Sequence, residues 1–252
     1  MSLELLTAAN ITVPHGFTTR WGGVSESYYG SLNLGLSTGD DRAVVATNRE
    51  RVLAHFGVTR EAVCVLEQVH GARVVEAEPS WYGFQADAAT TDDPDLLLVI
   101  GVADCQPILF VDPVQRAVAA AHAGWRGTVK GIAGNVVKAM AERYGSNAAD
   151  MRVAFGPCIA GACYQVGPEV AGAFEEAGFP AEVLEPDSEG RYRLDIGAAN
   201  RCVLKEAGVA EENITDLGLC THCDRERFYS HRRDGRRRGS HWAAIKLPQR
   251  RR

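Results

Sequence analysis

Three short apolar segments in succession constrain the fold of this chain more than any other feature. The first covers residues 96–103, the second is centred on residues 107–111, and the third ends at His122. The turn sequences "ADC" and "DPVQ" separate them. Each segment has the length of a buried strand, and the longest is far shorter than the roughly 20 residues of a membrane-spanning helix. The pattern therefore predicts consecutive buried strands and no transmembrane segment.

Apolar residues at helical spacing occupy the segments on either side of these strands. Residues 41–57 carry an apolar face that ends at a glycine. A longer stripe predicts a helix that starts near Thr128, and two further helices are predicted near residues 169–176 and 195–207. We find no internal repeat and no linker rich in Pro or Ser. The sequence predicts one α/β (α+β) domain over residues 1–252, with mixed β-sheets packed against flanking helices.

The net charge and the cysteine count limit the possible binding partners and the cellular compartment. The formal net charge of −5 gives no overall attraction to nucleic acid or to an anionic membrane. The seven cysteines cannot all pair with one another, and "MSLELLTAANITVPHG" lacks the basic and apolar regions of a signal peptide. We therefore expect a cytoplasmic protein with free thiols. We expect no nucleic-acid, membrane or obligate protein partner, and any anion site must be local.

Three residues of metal-binding types stand at the ends of predicted strands. His70 follows the strand in "AVCVLEQVHG", Cys105 lies in the turn after residues 96–103, and His122 ends the third apolar segment. Such strand ends are where open α/β sheets usually gather their chemistry. Two histidines and one cysteine leave one tetrahedral position open, as in catalytic zinc sites. We interpret the three residues as a zinc site that can activate water.

The same residue types suit two other kinds of site. Blue copper uses a similar set but usually adds an axial methionine, and Met140 is better explained by the helix stripe. A laccase also needs more histidines than the seven present, commonly as His-x-His pairs. Alternatively, Cys105 is the nucleophile of a cysteine hydrolase with His122 as its base. The position of His70 at a third strand end favours a metal, because a metal would itself deprotonate Cys105.

Arg49 falls inside the apolar stripe of the helix predicted at residues 41–57. At 100° per residue it lies between Val45 and Phe56 on one side and Leu53 on the other. A buried arginine needs an anionic partner, which predicts an anion site. The alternative is that the aliphatic part of its side chain packs against the core while the guanidinium reaches water.

Two further motifs have ordinary explanations as well as functional ones. "CTHC" at residues 220–223 could combine with Cys158 and Cys163 in a structural zinc site, but packing is the default role for these cysteines. "HRRDGRRRG" is a short basic run on an acidic protein, and it lacks the interleaved aromatic residues of a nucleic-acid site. We expect a solvated turn from which one or two arginines reach a phosphate.

Together the motifs resemble one known family. They occur in one order over nearly the whole chain: "TTRWGGVS", "SLNLG", "NRERV", "QVHG", "ADCQP", "AHAGWRG", "GPCI", "CYQVG" and "CTHCDRERFYSHRRDG". This series looks like the YfiH family, which has long been labelled laccase-domain or polyphenol oxidase. The resemblance implies an α/β fold with mixed sheets between helices. It also implies a zinc-dependent purine nucleoside phosphorylase that deaminates adenosine and cleaves methylthioadenosine.

Carried onto this sequence, the resemblance assigns metal ligation to His70, Cys105 and His122, and gives Arg49 as the arginine of the family's "NR" helix motif. Family members often read "SYRRDG" and then "TGR", whereas this chain has "SHRRDG" and "RGS", with His231 and Ser240 at the changed positions. The roles of the replaced tyrosine and arginine are therefore in doubt here. Arginines at residues 236–238 are candidates to compensate.

The resulting hypothesis has purine nucleoside and phosphate as the ligands of one pocket. Zinc, with copper as the alternative metal, binds or activates a water or substrate atom. Arg49, helped by Arg126 and by the helix start at Thr128, holds phosphate so that it can attack the anomeric carbon of the ribose. Neither the general acid for the leaving base nor the preferred purine can be identified from the sequence.

Overall fold

The computed structural model describes residues 2–249, which form fifteen strands and six α-helices. The strands are β1 Leu5–Leu6, β2 His15–Thr18, β3 Val63–Glu67, β4 Val74–Glu76, β5 Ser80–Gln85, β6 Ala88–Thr91, β7 Leu97–Val102, β8 Gln106–Asp112, β9 Ala117–Ala123, β10 Arg152–Phe155, β11 Gln165–Val166, β12 Leu184–Pro186, β13 Tyr192–Leu194, β14 Ile214–Asp216 and β15 His241–Ile245. The helices are α1 Arg42–His55, α2 Trp125–Val129, α3 Ile132–Tyr144, α4 Pro168–Glu176, α5 Ile196–Glu206 and α6 His231–Asp234.

The strands form two six-stranded mixed sheets and one small sheet. The first sheet has the order β1-β2-β15-β7-β3-β5, and the second has the order β14-β10-β8-β9-β6-β4. In the first sheet β7, β3 and β5 run parallel, while the other neighbours pair antiparallel. In the second sheet the two edge pairs are parallel and the central pairs are antiparallel. The small sheet, β11-β13-β12, is antiparallel.

The two large sheets pack face to face, with helices on both outer faces. Along β3, Cys64 and Leu66 point into the core between the sheets, whereas Val63 and Val65 pack with residues of α1. β8 alternates in the same way between the intersheet core and α3. The alternation follows from the two-residue period of a strand, which sends successive side chains to opposite faces. The result is a helix-sheet-sheet-helix arrangement in which both faces of each central strand are buried.

Local signals in the sequence account for most element boundaries. The side chain of Asp41 caps α1 by accepting hydrogen bonds from the N–H groups of Ala43 and Val44, which confirms the predicted helix start. The three apolar segments form β7, β8 and β9 as predicted. The helices predicted near residues 169–176 and 195–207 are α4 and α5.

The predicted start of a helix near Thr128 is wrong. Residues 125–144 form two helices, because Gly131 adopts a left-handed φ of +70° and ends the first of them. Thr128 lies inside α2, and its N–H already donates to the carbonyl of Gly124 at 2.9 Å. It therefore offers no free helix-terminal N–H to an anion.

The prediction of one α+β domain with mixed sheets and flanking helices is confirmed for the described residues. The predicted span of 1–252 also includes residue 1 and residues 250–252, which lie outside them. Among residues 2–249, every helix is too short or too polar to cross a membrane.

Candidate active site

His70, Cys105 and His122 converge at one end of the sheet sandwich. Each offers one ligand atom, and these atoms lie within 4.8 Å of one another. The two imidazole rings meet edge to face with their centroids 4.7 Å apart. His70 follows β3 of the first sheet, and His122 lies on β9 of the second sheet. The strand-end pattern of the sequence thus corresponds to a real cluster of side chains.

The turn that holds Cys105 is where the chain passes from the first sheet to the second. The preceding residue, Asp104, has a φ of +89°, which is uncommon for a residue other than glycine. Its carboxylate accepts hydrogen bonds from the hydroxyls of Thr221 at 2.6 Å and Ser230 at 3.0 Å, and from the N–H of Arg232 at 2.6 Å. The C-terminal segment therefore fixes the conformation of the Cys105 turn.

A buried carboxylate, Asp87, organises the two histidines. Its Oδ1 lies 2.7 Å from Nδ1 of His122, which leaves Nε2 of that ring available as a ligand atom. The same carboxylate accepts hydrogen bonds from the backbone N–H groups of Val69, His70 and Gly71 at 3.2, 2.9 and 2.6 Å. It thus holds the loop that carries His70. Asp87 was not predicted from the sequence, because nothing in "QADAAT" shows that this aspartate is buried.

The charges of the cluster favour a thiolate at Cys105. Burial alone would raise the pKa of the thiol, but the charge and hydrogen bond of His122, together with those of His70, lower it to about 6. Burial likewise opposes protonation of His122, but the Cys105 thiolate and the Asp87 carboxylate raise the pKa of its imidazole to about 9. These opposite shifts favour a thiolate at Cys105 beside a protonated His122 when no metal is bound. The thiolate is the form in which cysteine binds metals.

The donor set fits a zinc ion. Two imidazole nitrogens and one thiolate are common zinc ligands, and three protein ligands leave one position open for water or substrate. Space is also kept beside them: a Cβ added to Gly124 would stand 3.1 Å from Sγ of Cys105 and 3.1 Å from Cδ2 of His70. The missing side chain of Gly124 therefore leaves room at the donors.

A cavity of about 360 Å³ opens directly beside the three donors. Its size falls within the range of about 300–1,000 Å³ that is usual for small-molecule sites. The other side chains in its wall include two arginines and two aromatic residues, namely Arg49, Arg238, Tyr82 and Trp242. The cavity therefore combines metal-binding donors, cationic groups and flat apolar surfaces.

Arg49 turns inward from α1, as its place in the apolar stripe predicted, and only 5% of its surface is exposed. Its Nε and Nη2 donate to the carbonyl oxygen of Leu34 at 2.8 and 2.6 Å, and Nη2 also donates to the hydroxyl of Tyr82. The guanidinium lies about 5 Å from the ring centroids of Trp81 and Trp242. Burial lowers the pKa of Arg49, with Tyr82 acting in the opposite sense. These partners are not the anion expected for a buried arginine, so an anion remains its natural ligand.

Arg238 is the second cation of the cavity. It belongs to the arginine-rich turn, whose side chains the sequence could not assign individually. Its Nη1 donates to the carbonyl of Gly239 at 2.9 Å, and its Nε is buried without a hydrogen-bond partner among the described residues. Burial lowers the pKa of Arg238, against the charges of Asp104 and Cys105. A half-buried guanidinium in this cavity wall, whose buried Nε has no partner among the described residues, is suited to bind an anion.

Arg126 and Thr128, which the sequence predicted to help hold phosphate, do not line this cavity. Arg126 is exposed, and its guanidinium lies 4.2 Å from the ring centroid of Trp125. The hydroxyl of Thr128 is buried and accepts a hydrogen bond from the amide of Asn200 at 3.1 Å. Both residues lie on α2, which begins at Trp125 rather than near residue 128.

The two positions that depart from the family pattern lie close to the site. Ser240 lines the cavity, and its hydroxyl donates to the carbonyl of Val102 at 3.1 Å. His231 begins α6 and lines a smaller cavity on the other side of Cys105. Arg238, two residues before Ser240, occupies the cavity wall with a guanidinium.

Comparison with known proteins gives one consistent family. Residues 14–248 match the family model described as multi-copper polyphenol oxidoreductase laccase. A Deinococcus radiodurans protein named purine nucleoside phosphorylase is 44% identical over 249 residues, which cover 98% of this chain and 94% of the relative. Purine nucleoside phosphorylase YlmD of Bacillus subtilis is 38% identical over 89% of this chain and 85% of its own length. The crystal structure of the Bacillus licheniformis hypothetical protein YfiH superposes with a TM-score of 0.92 at 35% identity, over 98% of this chain and 96% of that one.

Proposed function

The chain belongs to the family described as multi-copper polyphenol oxidoreductase laccase, and from its relatives and its site we propose that it is a zinc-dependent purine nucleoside phosphorylase. The observation that carries the proposal is the single cavity in which His70, Cys105 and His122 face two arginines, the buried Arg49 and the half-buried Arg238. Phosphorolysis needs both a cationic phosphate site and room for a nucleoside. This cavity offers the two together.

The proposed substrates are adenosine, inosine and methylthioadenosine, each with inorganic phosphate. In phosphorolysis an oxygen of phosphate forms a bond to the anomeric carbon of the ribose while the bond from that carbon to the purine nitrogen breaks. The purine leaves with the electron pair of the broken bond and takes up a proton. The proposed second reaction is hydrolytic deamination of adenosine to inosine and ammonia at the same cavity.

The roles of the chain's own residues follow from their positions. Arg49 and Arg238 hold phosphate, because a guanidinium can donate two parallel hydrogen bonds to an oxyanion. Tyr82 and Trp242 offer flat apolar walls to the purine or ribose. Asp87 fixes the ring of His122 and the loop of His70, so that the donor atoms face one point. Positioning of this kind supplies much of the rate in a reaction between two bound substrates.

Zinc is the proposed cofactor at His70, Cys105 and His122. When bound there, it supplies the Lewis acidity and the lowered pKa of water on which hydrolytic deamination depends. The family's description names copper, but a laccase needs several copper centres. Within residues 2–249, the other potential donor group is a cysteine-rich one, and the Nε2 atoms of His15 and His241 already accept backbone hydrogen bonds. This distribution of histidines favours a single zinc over a multicopper mechanism.

A cysteine hydrolase that acts on an amide is the second candidate. The observation in its favour is that the thiol of Cys105 lies within 4.8 Å of a ring nitrogen of His122, whose charge lowers the pKa of the thiol and so favours the nucleophilic thiolate. His70, a third donor at the same point, is the reason to prefer the metal. A cytoplasmic location, and the lack of nucleic-acid, membrane or obligate protein partners, stay predictions.

The test is mass spectrometry of adenosine incubations with and without phosphate, using protein of known metal content. We expect adenine and ribose 1-phosphate only with phosphate, and inosine in both incubations. The proposal fails if zinc-loaded protein forms none of these products from adenosine, inosine or methylthioadenosine. Oxidation of phenols by copper-loaded protein would favour the laccase. Loss of amide hydrolysis on alkylation of Cys105 in metal-free protein would favour the hydrolase.

A further inference from the structure

A second group of metal-binding side chains lies at the surface, apart from the cavity. Ligand atoms of Cys163, His222 and Cys223 lie within 4.8 Å of one another. Sγ of Cys163 is 3.1 Å from Sγ of Cys223, and Cys220 of the same loop neighbours this group without belonging to the set within 4.8 Å. Cys163 comes from the loop before β11, and the other three come from the loop after β14. Residues 57 or more positions apart in sequence thus meet in one cluster.

Backbone N–H groups are directed at the sulfur of Cys220 in the loop at residues 220–223. The N–H of Ala160 points at Sγ of Cys220 at 3.4 Å, and the N–H groups of His222 and Cys223 also approach this sulfur. Backbone N–H groups directed at a cysteine sulfur stabilise a thiolate, which is the ligand form of cysteine.

A cation would also relieve the crowding of the three thiols. The thiols of Cys163 and Cys223 are in direct contact, with their sulfurs 3.1 Å apart. A second thiolate is therefore unfavourable beside the first unless a positive charge lies between them. Ligand atoms on one tetrahedral zinc lie about 3.3–3.8 Å apart. Those of Cys163, His222 and Cys223 lie within 4.8 Å of one another, so only small shifts would bring them to that spacing.

We propose that Cys163, His222 and Cys223 bind a structural zinc ion, with the neighbouring Cys220 as the fourth ligand. Three thiolates and one imidazole make a closed tetrahedral set, in contrast to the open set beside the cavity. Each bound thiol loses its proton to solvent. Cys158, which its spacing in the sequence made an equal candidate, is not part of the set, because its Sγ lies 3.0 Å from Oε1 of Gln106.

This zinc site has a mechanical connection to the catalytic cavity. Thr221, inside the proposed metal loop, donates through its hydroxyl to Asp104, which holds the turn of Cys105. The guanidinium of Arg233 donates to the carbonyls of Thr221 and His222 at 2.9 Å each, and so ties the same loop to α6. A metal at residues 220–223 would therefore stabilise the wall that carries Cys105, without contacting the substrate.

Zinc content per chain tests the proposal, measured by plasma mass spectrometry on protein kept reduced and dialysed free of loose metal. We expect about two zinc ions in the wild type and about one in His122→Ala, Cys163→Ser and Cys223→Ser. Cys202→Ser is the matched control and should retain about two, because Cys202 lies on α5 outside both groups. Cobalt-substituted His122→Ala should show intense thiolate-to-cobalt absorption that Cys163→Ser abolishes.

The outcomes separate this site from the one proposed at the cavity. If His122→Ala binds no zinc, the second site does not exist, whatever the phosphorylase assays show. If His122→Ala retains about two ions while Cys163→Ser falls to about one, the second site stands and the cavity ligands are wrong. Should a cysteine variant fail to fold, alkylation of the exposed Cys223 in the wild type decides the matter. Zinc must slow this alkylation at least about tenfold, and an unchanged rate overturns the proposal.

Discussion

Nδ1 of His122 lies 2.7 Å from Oδ1 of Asp87, and the same fully buried carboxylate accepts hydrogen bonds from three consecutive backbone N–H groups at residues 69–71. One side chain therefore sets the ring orientation of one proposed ligand and the backbone position of another. The distance between His70 and His122 therefore depends on Asp87 as well as on the positions of β3 and β9.

Asp87→Asn should weaken zinc binding at the cavity about 10- to 100-fold, because the neutral amide loses the charge that stabilises the His122 tautomer. The measurement is zinc release in competition with a chelator of known affinity. Asp92→Asn changes an exposed aspartate and should leave the affinity unchanged. Equal affinities for wild type and Asp87→Asn would show that the carboxylate does not support a metal.

Gly124→Ala should lower zinc content at the cavity and lower turnover with it. The added Cβ would stand 3.1 Å from Sγ of Cys105 and 3.1 Å from a ring carbon of His70, so at least one donor must shift. Gly172→Ala is the matched control, since nothing lies within 4 Å of its added Cβ on α4. It should keep full zinc and stabilise the helix by about 0.5–1 kcal/mol. Full zinc occupancy in Gly124→Ala would contradict the proposed ligand set.

Arg49→Lys should reduce phosphorolysis far more than deamination. Loss of the two-pronged contact to phosphate in a desolvated site costs about 2–4 kcal/mol, a rate loss of tens to several hundredfold. The measurement is the ratio of adenine to inosine formed from adenosine at equal zinc content and saturating phosphate. Arg126→Lys alters an exposed arginine outside the cavity and should leave the ratio unchanged. If Arg49→Lys also leaves it unchanged, Arg49 is structural or serves both reactions alike.

Arg238→Gln should raise the KM for phosphate about 10- to 100-fold, because it removes one charge-assisted contact to the anion. The KM for phosphate is measured at saturating adenosine, and deamination without phosphate serves as the internal reference. Arg237→Gln, at an exposed position in the same turn, is the control. A parallel fall of both activities in Arg238→Gln would point to a role in binding the nucleoside instead.

Stability should decrease below about pH 6.5 through His241. Its Nε2 accepts the N–H of Tyr229 at 2.7 Å, and burial, with the charges of Arg20 and Arg238, lowers the pKa of its imidazole from 6.5 to about 3. Between these two pKa values the imidazole of His241 is protonated in the unfolded chain but not in the native state. The free energy of unfolding then falls by up to about 1.4 kcal/mol per pH unit between those two pKa values.

His241→Gln should remove this loss, because the amide oxygen can accept the same N–H and does not titrate. Urea unfolding of the variant and of the wild type at about pH 7 and about pH 5 gives the comparison. His55→Gln, on the exposed side of α1, should follow the wild type. Parallel pH profiles for His241→Gln and the wild type would exclude His241 as the source.

The sequence predicted those parts of the site that depend on local patterns. The predicted strand ends indicated that His70, Cys105 and His122 lie close together, and helical periodicity predicted that Arg49 points inward. It could not predict Asp87 or single out Arg238 among the arginines at residues 236–238, because their proposed roles depend on burial that only the packing of distant segments creates. The helix start near Thr128 failed for a local reason. The apolar stripe continues across Gly131, and periodicity does not register the left-handed conformation that divides it.

The proposed cavity ligands come from both large sheets, with His70 after β3 in the first and His122 on β9 in the second. When metal is bound, the two sheets can separate at this end and admit solvent only if a metal-ligand bond breaks. Loss of zinc would therefore speed the amide hydrogen exchange of β7 and β9. The core between the sheets would loosen even though every catalytic side chain is still present.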